Sequence, residues 1–290
     1  MLFQQLINGL TLGSTYALIA LGYTMVYGIV QLINFAHGEI FMVGAFLGLF
    51  FVTYLKINII LAMILSMMIT MVFGIIIEKI AYKPLRGSAR LSALISAIGV
   101  SIFLSTLVLI IRGPQTVGMP NVFEIVNYNI GEAQISNLQI FIILVSAILM
   151  VALSVIIKYT KIGKAMRATS QDYDTASLMG INVSNVISFT FALGSSLAAA
   201  GGVLFGLLYN ALNPYMGLNI GLKAFAAAVL GGIGSVPGAM LGGILLGVAE
   251  ISAVALKFSS YRDAIAFTIL ILVLLVKPTG LLGRKIQKKV

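Results

Sequence analysis

The feature that most constrains this chain is a succession of apolar runs about as long as a bilayer is thick, with its charged residues gathered in the breaks between them. A helix needs roughly 20 apolar residues to cross the hydrocarbon core, where backbone N–H and C=O groups must be satisfied without water. Such runs occupy residues 1–30, 38–55, 59–78, 91–111, 138–158, 186–209, 222–256 and 261–277. They predict an all-α integral membrane protein, a polytopic helical bundle of eight to nine spans forming one transmembrane domain over residues 1–290. Only 9% of the residues are charged, against about a quarter in soluble domains, and the spans leave no room for a folded catalytic domain. With no cysteine and a single histidine, disulfides, thiol catalysis and cysteine or histidine metal clusters are excluded. The net charge of +10 lies between apolar runs, the pattern that marks a cytoplasmic face rather than a nucleic-acid surface.

No Lys or Arg precedes Lys56, so the amino terminus lacks the basic region of a cleavable signal peptide and its first run reads as a retained span. Lys79, Lys83, Arg86 and Arg90 fill one break and Lys158, Lys161, Lys164 and Arg167 another, while Lys277, Arg284, Lys285, Lys288 and Lys289 crowd the tail. All three are expected in the cytoplasm. The connection at 112–138 sets one Arg against Glu124 and Glu132, and that at 210–221 has no charge, so both are expected outside. An odd number of crossings must then join 210 to 277. The stretch 222–256 is too long for one span and is broken by Gly231, Gly232, Gly234, Pro237 and Gly238. Two crossings there give nine in all with the amino terminus outside; a re-entrant pair is the alternative. The glycine-punctuated segments 34–48 and 231–247 suggest two structural repeats with broken helices in corresponding positions, although close helix packing also uses glycine.

Ionisable residues within spans are expensive and therefore candidates for function. His37 and Glu39, with Asn34, form a polar island in NFAHGEI and are expected to line a translocation path or its gate. Glu78 adjoins Lys79 and Lys223 opens a span, so both are expected at an interface with water, and Glu250 is read as lying near the end of its span. These groups are too few for a proton relay. The nearest approach to a phosphate cradle, KIGKAM with Gly163 and Lys164, lacks the hydroxyl and upstream glycine, and GGIGSVPG does not fit a dinucleotide fingerprint. Any ATP that powers this chain is hydrolysed by another.

The cytoplasmic loop at 158–186 is long for so tight a protein, and its pattern is helical. Ala165, Met166, Ala168 and Thr169 suit a first short helix. Ser170 or Asp172 can cap a second, running from about Tyr173 to Met179 and stopping at Gly180. Such a helix suits docking in a partner's groove, or alternatively resting on lipid headgroups beside its basic neighbours. Ala176 is expected to give close approach to the partner.

The run NGLTLGSTYALIALGYTMVYGIVQLINFAHGEIFMVGAF at 8–46 resembles the amino-terminal signature of LivH-type permeases of branched-chain amino acid ABC importers. DTASLMG resembles the EAA motif, in which Glu, two Ala and Gly stand at relative positions one, two, three and seven. They correspond to Asp174, Thr175, Ala176 and Gly180, with Asp shortening the acid and Thr replacing the first Ala. Together with AVLGGIGSVPGAMLGG, the likeness covers nearly the whole chain. It implies a transporter subunit rather than an enzyme, importing leucine, isoleucine and valine through the bacterial inner membrane. It also implies a path shared with a second, LivM-type permease, two cytoplasmic ATPase subunits that use ATP and Mg, and a periplasmic substrate-binding protein. No cofactor or metal is expected on this chain, and its surface partner is membrane lipid. Urea, ribose and nucleoside permeases are related branches, and a stand-alone ion-coupled transporter or channel is the reading from another class.

Overall fold

The computed structural model describes residues 2–120, 122, 124–131 and 133–283; Glu132 and the tail residues Arg284, Lys285, Lys288 and Lys289 lie outside the described residues. The apolar helices are α1 (Leu2–Val30), α2 (His37–Thr53), α3 (Ile59–Ile77), α4 (Arg90–Arg112), α5 (Asn137–Tyr159), α8 (Val183–Tyr209), α9 (Met216–Gly231), α10 (Val236–Ala255) and α11 (Arg262–Val276). Two short helices, α6 (Lys161–Gln171) and α7 (Tyr173–Leu178), lie between α5 and α8. Seven helices are long and apolar enough to cross a membrane, and α2 and α9 are shorter apolar helices of 17 and 16 residues. Many starts are written in the sequence. Asn58, Ser136, Asn182 and Ser235 each accept a hydrogen bond from a first-turn N–H, and Ser136 with Gln139 forms a reciprocal capping box.

The stretch 222–256 does divide, at 232–235, where Gly232 and Gly234 take φ of +107° and +90° and turn the chain between α9 and α10. Gly231 and Gly238 are not part of that turn: they end α9 and begin α10, and each leaves room for the other's backbone. The helices alternate in direction. Gly28 of α1 lies beside Gly234, while Gly9 lies beside Val248 of α10, so these two helices run antiparallel. Two contacts put the connections with little basic charge on one side. Val117 pairs with Leu212, Gln4 bonds the backbone of Gln134, and Gln134 lies in the hairpin β1 (Asn127–Ile130) and β2 (Ala133–Ser136), register Asn127 to Ser136. The amino terminus therefore shares one face of the bundle with 112–138 and 210–215. Among the described residues this hairpin and the isolated bridge of Val117 with Leu212 are the departures from an all-α reading.

The central helices of the bundle are apolar but less so than α5 at its surface, and they are rich in small residues. Over their membrane-length segments α1 and α8 are 89% and 94% buried, with mean hydropathies of 1.3 and 1.8, whereas α5 is 22% buried with 3.2. Lipid tails are as apolar as leucine, so burial in a bilayer rewards close packing rather than hydrophobicity. The seam between α1 and α10 shows the consequence: a Cβ on Gly13 would lie 2.6 Å from the Cα of Ile244, and Gly9, Gly243 and Gly247 line the same seam.

Contacts repeat with reversed polarity. α1 packs on α10 as α8 packs on α3, α2 lies against α8 as α9 lies against α1, and α2 meets α4 as α9 meets α11. The relation makes α9, not α10, the counterpart of α2. The structural repeat is present, then, but the expected pairing of 34–48 with 231–247 moves by one helix. Its true breaks are the irregular segments 31–36 and 210–215, which precede the two short helices. Gly38, Gly44 and Gly48 stay helical within α2 and serve packing.

Candidate functional site

The short helices α2 and α9 meet at their amino-terminal ends. Gly38 of α2 abuts Gly217 and Gly221 of α9, and the Glu39 carboxylate reaches Gly217. Asn34, His37 and Glu39 are all buried there. Tyr82 Oη donates to Asn34 Oδ1 at 2.8 Å, His37 Nε2 lies 3.2 Å from the carbonyl of Ile19, and Ser101 Oγ of α4 donates to Glu39 Oε1 at 3.2 Å. The His37 ring meets Tyr23 edge to face at 4.7 Å. Glu39 Oε2 has no hydrogen-bond partner among the described residues. Its carboxylate is nonetheless held between two helix amino termini, whose converging dipoles favour negative charge. The sequence island is thus one physical site, assembled where the repeats touch.

Glu78 and Lys223, expected near water, are instead buried, and so is Glu250, read as lying near the end of its span. Glu78 is fully buried, paired with Arg86 and accepting from Ser188, because the chain after α3 folds back over it. Glu250 is also fully buried and is a hub: Lys223 Nζ and Arg262 of α11 each approach a carboxylate oxygen at 3.0 Å, and Tyr16 Oη donates at 3.2 Å. Lys223 further pairs with Asp263 at 2.6 Å, and Arg262 donates to Tyr209 Oη at 2.9 Å. The cluster joins α1, α8, α9, α10 and α11, an adjacency that linear spacing does not reveal. Beside it opens a cavity of about 330 Å³, with Phe205 and Ile220 as apolar wall, Lys223, Arg262 and Asp263 as charged wall, and Ser260 at its edge.

Between α5 and α8, α6 and α7 fold as the sequence suggests. Asp172 rather than Ser170 caps α7, accepting from the Thr175 N–H at 2.8 Å, and Gly180 ends it with φ of +81°. Asp174 and Thr175 are exposed. Ala176, expected to face a partner, is buried against this chain, so its small size serves packing within the subunit. The outward residues are Leu178 and Met179, 87% and 79% exposed. Tyr173 anchors α7 to the transmembrane core by donating its hydroxyl to the carbonyl of Ile29, in the last turn of α1. Burial pushes the Tyr173 phenol pKa upward, against the opposing effect of Arg86.

Residues 5–274 match the model of the family described as branched-chain amino acid transport system / permease component. The chain belongs to this family. The permease is 46% identical over 299 residues to the high-affinity branched-chain amino acid transport system permease protein LivH of Escherichia coli K12, covering 99% of this chain and 97% of that protein. It is 47% identical over 300 residues to BraD of Pseudomonas aeruginosa PAO1, again covering 99% and 97%. Among solved structures, a chain of PsaBC from Streptococcus pneumoniae in complex with Fab superposes with a TM-score of 0.51 at 10% identity, covering 94% of the permease and 91% of that chain, a likeness of fold. The protein is a multi-pass membrane permease subunit of the ABC importer type and not an enzyme.

Proposed function

We propose that the permease carries leucine, isoleucine and valine across the bacterial inner membrane, forming the path with a second, LivM-type permease. Two cytoplasmic ATPase subunits that use ATP and Mg drive it, and a periplasmic binding protein delivers the substrate. The observation that carries this reading is the match along 99% of the chain to permeases named for branched-chain amino acid transport. In this reading residues 1–290 act as one transmembrane domain whose loop at 158–186 couples to the ATPases. The geometry supports a division of labour. Leu178 and Met179 offer an apolar tip to an ATPase groove, Gly180 and the neighbouring Asp174, Thr175 and Ala176 fix the angle of that tip, and Tyr173 passes its displacement to α1. Asn34, His37 and Glu39 lie where α2 and α9 meet, so relative motion of the repeats would expose or hide them, as a gate requires. The turn at Gly232 and Gly234, with the close packing of Gly231 against Gly238, keeps the cytoplasmic end of the α9–α10 pair tight during that motion.

The experiment is reconstitution of the permease with its partners in proteoliposomes. Uptake of leucine, isoleucine and valine should require ATP on the loop side and binding protein on the other. Uptake by the permease alone, driven by an ion gradient, would refute the reading. A cysteine at Ser170 should react with an impermeant reagent from the cytoplasmic side and resist it from the periplasmic side.

A further inference from the structure

The cavity beside Glu250 has a charge arrangement that specifies a kind of ligand. Four ionisable groups meet at it, Lys223 and Arg262 against Glu250 and Asp263, so the site is electrically balanced. Two of the four have unspent capacity. Arg262 Nε is buried without a hydrogen-bond partner among the described residues, although the same guanidinium bonds Glu250 and Tyr209 through Nη2. Asp263 pairs with Lys223 through Oδ1 while its side chain stays 69% exposed. A ligand bearing a single charge would leave the site unbalanced in a low-dielectric surrounding, which is costly. A ligand bearing both charges can satisfy the unfilled donor and the open acceptor while the cluster stays neutral. Phe205 and Ile220, both buried, complete the cavity with an apolar wall. At about 330 Å³ the space falls at the small end of the roughly 300–1,000 Å³ usual for small-molecule sites.

We propose that this cavity is a transit site for the zwitterionic amino acid in the outer half of the permease. Arg262 Nε donates to the substrate carboxylate, Asp263 accepts from its ammonium, and the aliphatic side chain lies on Phe205 and Ile220. The assignment rests on the reading of the protein as an amino acid permease. Binding here is weak by construction, because the charged groups already satisfy one another and the ligand gains only the residual capacity. Weak occupancy is what passage requires, since a tight site would hold its cargo.

The test measures saturable binding of radiolabelled leucine to the assembled importer in lipid nanodiscs, without binding protein or ATP. Leucine is expected to bind in the millimolar range. Isoamylamine, which lacks the carboxylate, and isocaproate, which lacks the ammonium, should compete at least about tenfold less well. Arg262→Lys and Asp263→Asn should each weaken leucine binding about tenfold or more. Ser260→Trp, at an exposed position on the rim that leaves all four charges in place, should abolish it and decides the matter if a charge variant fails to insert. Leucine binding unchanged in Ser260→Trp, or equal competition by either single-charge analogue, would overturn the proposal. Uptake by the complete wild-type importer, measured alongside, separates the two readings. Leucine uptake without saturable binding overturns the transit site alone, whereas no uptake of any branched-chain amino acid overturns the functional reading.

Discussion

Replacing Glu250 with Gln removes the one carboxylate that two cations share at 3.0 Å each, while changing volume hardly at all. Glu250 is fully buried, and the side chains of Lys223 and Arg262 are only 11% and 28% exposed, so water replaces little of the lost attraction. Breaking a buried ion pair on one side costs about 3–5 kcal/mol, because the remaining charge keeps its desolvation penalty. Asp263 still holds Lys223 and Tyr209 still holds Arg262, which places the expected loss near the lower end, about 3 kcal/mol. At roughly 2–4 °C per kcal/mol for a chain of this size class, the midpoint of thermal unfolding in detergent should fall by about 6–12 °C. Adding Lys223→Met to Glu250→Gln should recover about half of that loss, since the excess buried cation is removed and the Gln carbonyl can still accept from Arg262. Size-exclusion chromatography after graded heating provides the assay. A single variant melting within 2 °C of wild type, or a double variant less stable than the single one, would refute the account of Glu250 as a charge hub.

Tyr173→Phe removes only the hydroxyl that reaches Ile29, so it should loosen α7 by about 1 kcal/mol. Amide exchange in α7 should then quicken about fivefold while uptake per ATP hydrolysed falls. Gly180→Val meets no steric neighbour but must hold a positive φ, a strain of roughly 1–3 kcal/mol; it should insert normally yet show uncoupled or weakened ATPase activity, read from substrate-stimulated hydrolysis. Gly247→Leu would drive a side chain into the backbone of Gly13 and should abolish stable assembly, as judged by recovery of the monodisperse complex. Glu39→Gln keeps the bond from Ser101 but removes the charge between α2 and α9, so it should change the maximal rate of uptake more than the amount of protein inserted.

What the sequence made legible follows from which signals are local. Asp172 as a cap, Gly180 as a stop and the division of 222–256 all depend on neighbours within a turn or two, and the structure has each of them. Which connections share a side depends on charge counts in short connections, and the contacts Val117 to Leu212 and Gln4 to Gln134 agree with that grouping. The failures are contacts between helices far apart in the chain. Lys223 and Glu250 look like residues near span ends until α11 brings Arg262 and Asp263 back to them. Ala176 faces inward because α7 lies against the subunit's own helices, a direction that six residues of pattern do not encode. The counterpart of α2 is α9 although the two share little residue identity, since a repeat conserved in packing needs only small residues at the crossings.

Helix α1, 89% buried over its membrane-length segment, is made before every helix it packs against. α1 is among the least apolar of the spans and owes its place to close packing against α8 and α10, which follow it by more than about 150 residues. At 5–20 residues per second the seam with α10 becomes available only about 10–40 s after α1 has emerged. For that interval a glycine-lined surface stands in lipid or at the insertion machinery without its partner. Cells that shorten the chain before α10 should therefore degrade an inserted remnant rather than accumulate it, and the burden of making this permease falls on whatever shelters α1 while the other half of the bundle is being made.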